Sequence, residues 1–96
     1  MATRFAMGRI LATPGVLAVL DAACQSPAAF LLRHADGDWG QVDDADKRLN
    51  DRALSDGSRL LSVYETSTGI TIWVITEAAT DDGQRAATTI LLPEEY

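Results

Sequence analysis

The stretch HADGDWGQVDDADK, residues 34–47, gathers the single histidine, one of the two tryptophans and five aspartates. Residues of these types can do chemistry in two ways. A histidine beside Asp36 and Asp38 can have its ring oriented by one carboxylate, leaving the other nitrogen free to move a proton near neutral pH. Clustered aspartates can also hold a cation. Counting from Asp36, however, a calcium loop would find Asp38 in its third place but Gly40 in its fifth and Lys47 in its twelfth. Zinc asks for three or four His, Cys or carboxylate ligands, and the chain offers His34 and one distant cysteine, Cys24. No metal site is expected, and no cofactor.

The same residues have a plainer reading. His34 falls in the last turn of an expected helix, where an imidazole favours the helix dipole and can satisfy terminal carbonyls. Trp39 between Asp38 and Gly40 reads as an anchor plugging the gap between two helices, and Trp73 as its counterpart in a strand. Asp43, Asp44 and Asp46 read as helix-start charges. A second group, Tyr64, Glu65, Thr76, Glu77, Thr88 and Thr89, is what a ribonuclease-like sheet would present; the plainer alternative is a solvated face with cross-strand pairs. The chain has no nucleophile elbow, phosphate loop or dinucleotide fingerprint. Cys24, close to an apolar helix end, reads as a small packing residue.

The elements that must position these residues follow from punctuation. RFAMGRIL (4–11) partly alternates, with Phe5 and Met7 inward, and suggests a first strand. Thr13-Pro14 and Ser26-Pro27 each place a cap before a proline at the first helical position, predicting helices over 14–24 and 27–35. Asp43 and Gly57 bracket a third helix over 44–56 with a thin apolar face, so it lies at the surface. RLLSVYET (59–66), ITIWVITE (70–77) and ATTILL (87–92) are rich in β-branched and aromatic residues and read as strands, the second of them central. Ser67-Thr68-Gly69 closes the first hairpin, and Thr80-Asp81-Asp82-Gly83 the second. LLPEEY then closes the chain as a packing latch or a short docking element. The order β-α-α-α-β-β-β gives a single α+β domain over 1–96, with helices on one face of a mainly antiparallel sheet.

Ninety-six residues fill one core, and 47% hydrophobic with 23% charged residues is globular composition. A net charge of −6 with scattered basic residues disfavours direct nucleic-acid binding, where Lys and Arg must replace counterions. No stretch approaches the roughly 20 apolar residues of a membrane span, so no membrane association is expected. One cysteine and no signal-like segment suggest a cytoplasmic location.

The segments ATPGVLAVL, HADGDWG, NDRAL, RLLSVY, IWVITEA and TTILLPEEY, in this order, resemble a family of small proteins found on bacterial plasmids and integrative elements. The resemblance spans nearly the whole chain and departs from the family pattern at residues 79–85, where ATDDGQR makes a longer acidic loop. The signature carries no chemistry of its own. It implies a mobile-element accessory protein, and cargo of that kind is often aimed at host defence complexes. The leading expectation is therefore a non-enzymatic binding module, docking through Asp36, Asp38, Asp43, Asp44, Asp46, Asp81 and Asp82 on a protein partner with a basic surface. A homodimer is a further possibility. The alternative is a small ribonuclease-like toxin or hydrolase acting through His34 with Glu77 or Thr88.

Overall fold

Each of three helices begins one residue after a side chain that takes up its free N–H groups. The computed structural model describes residues 3–96. Thr13 Oγ1 accepts from Val16 N at 3.3 Å to start α1 (Pro14–Ala22), and Ser26 Oγ accepts from Ala28 N at 3.1 Å to start α2 (Pro27–Ala35). Asp43 accepts from Asp46 N at 2.8 Å to start α3 (Asp44–Asp56), which ends at Gly57. Helix α1 stops short of the expected residue 24. Cys24 adopts a left-handed φ of 56° and the Gln25 N–H reaches back to Leu20 O at 2.9 Å, closing the helix without a glycine to announce it. Cys24 itself is exposed, not a packing residue.

The strands are β1 (Arg9–Ala12), β2 (Leu60–Glu65), β3 (Thr71–Thr76) and β4 (Ala87–Leu91), followed by one 3-10 turn, Pro93–Glu95. They form one sheet in the order β1-β4-β3-β2. Both β2–β3 and β3–β4 are antiparallel, so ITIWVITE is internal as expected, but β1 lies parallel beside β4. The domain is α+β with a mixed sheet, and the mainly antiparallel expectation fails at its first strand. That strand also begins at residue 9 rather than 4. Gly8, at φ +66°, turns the chain where a Cβ would lie 2.2 Å from Arg85 O. Ahead of it Phe5 and Met7 turn inward without joining the ladder, and Arg4 N bonds Ala35 O at 2.9 Å.

Strand alternation divides the sheet residues. Leu60, Ser62, Tyr64, Ile72, Val74, Thr76, Thr88 and Ile90 share the face that α1 and α2 cover, and Val16, Leu20, Phe30 and Leu92 complete its core. Helix α3 meets that face only at its margin, where Ala53 joins Leu60, Trp39 and Val42 in a second buried cluster. It flanks the β2 edge, where the Asn50 side chain donates to Leu61 O at 2.7 Å and accepts from Leu61 N at 3.2 Å. The next outward-facing residue, Val63, donates to Trp39 O at 3.1 Å and accepts from Gln41 N at 2.6 Å. Every outward backbone group of Leu61 and Val63 is thus paired, which closes this edge to further strands.

The last residues bind the sheet to α1. Glu95 accepts from Thr13 Oγ1 at 2.5 Å, from Leu92 N at 3.0 Å and, through its other oxygen, from Gly15 N at 3.2 Å. A Cβ on Gly15 would stand 2.5 Å from that oxygen. Tyr96 lies on the uncovered sheet face, its ring 5.8 Å from that of Trp73 and its hydroxyl accepting from Arg59 at 2.5 Å. The segment LLPEEY is a packing latch in this fold. Among the described residues no single helix is long and apolar enough to cross a membrane; α1 and α2 are apolar together but meet at 108°.

Candidate functional site

His34 sits in the final turn of α2 with no exposure at all. Its ring does not serve the helix carbonyls. Nδ1 lies 2.6 Å from Ser62 Oγ on β2, and Nε2 lies 2.8 Å from Thr76 Oγ1 on β3. From Thr76 the chain of contacts runs 2.7 Å to Thr88 Oγ1 on β4, and Thr88 donates to the Met7 carbonyl at 2.7 Å. The direction of the bonds from Thr88 back to His34 Nε2 follows from that last acceptor. A carbonyl can only accept, so the Thr88 proton is spent there and Thr88 accepts from Thr76. Thr76 then accepts from His34 Nε2–H. In the neutral ring that burial favours, Nδ1 is bare and accepts from Ser62, so the tautomer is the Nε2–H form.

The surroundings favour the same state. Burial pushes the His34 pKa down from 6.5 to about 4, and the nearby Arg85 guanidinium adds to the effect. The edges of two aromatic rings close the pocket: Phe5 at 5.2 Å and 86°, and Trp39 at 5.7 Å and 75°. Trp39 is itself 4% exposed, with Nε1 donating to Asp51 at 3.0 Å. Gly40 next to it takes φ +73°, which brings its Cα so near β2 that a Cβ would meet Val63 O at 2.0 Å. The imidazole is therefore the centre of a sealed polar chain crossing α2, β2, β3, β4 and the segment before β1. A substrate has no path to it.

The residues proposed for catalysis separate on this frame. His34 and Thr88 belong to one chain, joined through Thr76, whereas Glu77 follows Thr76 by one residue and is exposed on the opposite face. The six-residue sheet group divides by the same alternation. Tyr64, Thr76 and Thr88 point into the core, and Glu65, Glu77 and Thr89 point away. Tyr64 donates to Asp38 O at 2.5 Å under the Arg33 guanidinium, 4.5 Å from its ring centre, and burial raises its pKa to about 12. Trp73 is half-buried on the uncovered face beneath Tyr96.

Of the aspartates proposed for binding, Asp36, Asp38, Asp43, Asp44 and Asp46 are all exposed and lie on one loop and helix start. Asp38 is held by Arg33 at 2.7 Å, and that bond keeps its carboxyl below the usual range. Asp81 and Asp82 stand on another element, the β3–β4 hairpin. The Asp82 carboxylate turns in on its own turn, accepting from Thr80 Oγ1 and Gln84 N. The hairpin rests on the far end of α3, where Ala79 N bonds Gly57 O at 2.7 Å, about 20 Å from the helix start by helical rise. Among the described residues no three His, Cys, Asp or Glu gather in metal-binding geometry.

Two residues of this architecture escape a reading by motif. Ser62 is signalled only by its place in LLSVYE, where alternation turns a hydroxyl into an apolar core. Arg85, 7% exposed, donates to Ser58 O at 2.8 Å, Glu77 O at 2.9 Å and Ala53 O at 3.0 Å, tying the end of α3 to the sheet. Nothing local to DGQR announces that role. Comparison of the chain with protein-family models, with curated proteins and with solved structures finds no match.

Proposed function

We propose that this chain is a non-enzymatic, acidic protein-binding module of the mobile-element accessory kind, acting in the cytoplasm on a partner with a basic surface. One observation carries the reading. Among the described residues a single ion pair forms, Arg33–Asp38, so Asp36, Asp43, Asp44 and Asp46 present their charge with no cation at ion-pair distance. They do so from a rigid base, since the loop is fastened by Trp39, the Gly40–Val63 bridge and the α3 cap. The net charge of −6 extends the same field over the molecule. Such a surface accelerates encounter with a basic partner and makes it sensitive to salt.

The test is kinetic. A partner is captured from the native host on the full chain, identified, and its association with the parent measured by stopped flow across a salt series. Replacing Asp43, Asp44 and Asp46 together by Asn removes three charges while leaving a capping side chain at residue 43, since Asn caps a helix about as well as Asp. The triple variant should associate several-fold more slowly at low salt and show a flatter salt dependence. Equal rates and equal slopes would remove the acidic surface from the account.

A further inference from the structure

The two edges of the sheet are treated differently. The β2 edge is covered at Leu61 and Val63, by Asn50 and by residues 39–41. The β1 edge is bare. Arg9 N and Thr13 N donate to Ala86 O and Ile90 O, and the register sets Arg9 against Ala87 and Leu11 against Thr89. In a parallel ladder that pattern turns the alternate residues, Ile10 and Ala12, outward with both N–H and C=O unpaired. All four residues of β1 are exposed, Ile10 by 51% and Leu11 by 40%. The strand is four residues long and carries one charge, Arg9, at its start, but no lysine, proline or bulge interrupts Arg9–Ala12 to turn a partner strand away.

We infer that the β1 edge pairs antiparallel with β1 of a second copy, Leu11 on the two-fold axis, joining two four-stranded sheets into one. The register follows from the outward groups. Ile10 of each copy exchanges two hydrogen bonds with Ala12 of the other, and Leu11 meets Leu11 as the close, non-bonded pair. Large stands opposite small at the flanking positions, and the two exposed leucines cover each other at the centre. Charge selects a second copy over an unrelated strand. This register sets Arg9, exposed and without an ion-pair partner among the described residues, opposite Thr13, whose hydroxyl is bonded to the exposed Glu95 carboxylate. Each copy thus offers the other an arginine at one end of the strand and a carboxylate at the other. A pairing of this kind is isologous and closes as a dimer, without forming a filament.

Sedimentation of the full chain should show a species of twice the 10.3 kDa chain mass that dissociates on dilution. Leu11→Lys places two ammonium groups across the axis and should raise the dissociation constant about tenfold or more, with an unchanged circular dichroism spectrum. In a Cys24→Ser background, Leu11→Cys should give a covalent dimer under mild oxidation, while Ile10→Cys, which faces Ala12, should not. If Leu11→Lys does not fold, the cysteine pair decides the register. A monomer at every concentration overturns the inference. So does a dimer indifferent to Leu11→Lys, preferential cross-linking at Ile10→Cys, or an edge filled by a strand of another protein.

Discussion

At the scale of single residues, the titration of His34 is the sharpest consequence of the buried chain. The folded state holds it near pH 4 and the unfolded chain near 6.5, so on acidification the unfolded state takes up a proton first. Stability from this residue is complete above about pH 6.5, declines as pH falls toward 4, and is level below that. The whole span is worth about 3 kcal/mol by linkage. Because the chain has one histidine, a proton NMR titration of its ring resonances needs no assignment. The midpoint should lie near 4, and the nitrogen shifts should report Nε2 protonated and Nδ1 bare. A midpoint near 6.5 would mean that the imidazole is solvated. The sequence shows why this residue misleads. His34 beside Asp36 and Asp38 looks like a catalytic neighbourhood, but a helix turn carries its ring inward while both carboxylates stay exposed. Its true partners, Ser62 and Thr76, are 28 and 42 residues away.

At the scale of elements, the cover of the β2 edge at Leu61 rests on one amide, Asn50. Asn50→Asp keeps the acceptor for Leu61 N but replaces the donor to Leu61 O with a second carboxylate oxygen, leaving two acceptors face to face. The substitution should cost about 1–3 kcal/mol at neutral pH, measured by urea denaturation against the parent at each pH. The deficit should shrink in acid, where a protonated carboxyl can donate again. A deficit independent of pH would place the cost elsewhere in α3. Boundaries at this scale are legible where a side chain or a glycine marks them. Helices α2 and α3 occupy the residues that Ser26-Pro27, Asp43 and Gly57 indicate. Helix α1 ends early because Cys24 takes a backbone conformation that its residue type does not advertise. The edge roles of Asn50 and Arg85 are invisible for a related reason: their partners are backbone groups, which carry no signature in a sequence.

At the scale of the whole molecule, β3 and β4 are the internal strands and should be the last to open. Hydrogen exchange is expected to be slowest from Ile72 to Ile75, with the amides of Ile10 and Ala12 among the fastest strand positions when the chain is dilute. Fast exchange in β3 would contradict the strand order. Alternation and turns disclose all four strands, the first with its start set at residue 4 rather than 9, and the antiparallel pairing of the last three. The parallel seat of β1 is not disclosed, because the four residues that pair, Arg9–Ala12, are all exposed, and such a strand can lie at either edge in either sense. That seat governs how the molecule is made. The ladder partner of β1 is a strand synthesised roughly 80 residues later, so at about 5–20 residues per second a nascent chain carries Ile10 and Leu11 unpaired for roughly 4–16 s. Through that interval β1 stays without its ladder partner, and chaperone capture or premature association of neighbouring nascent chains would begin there.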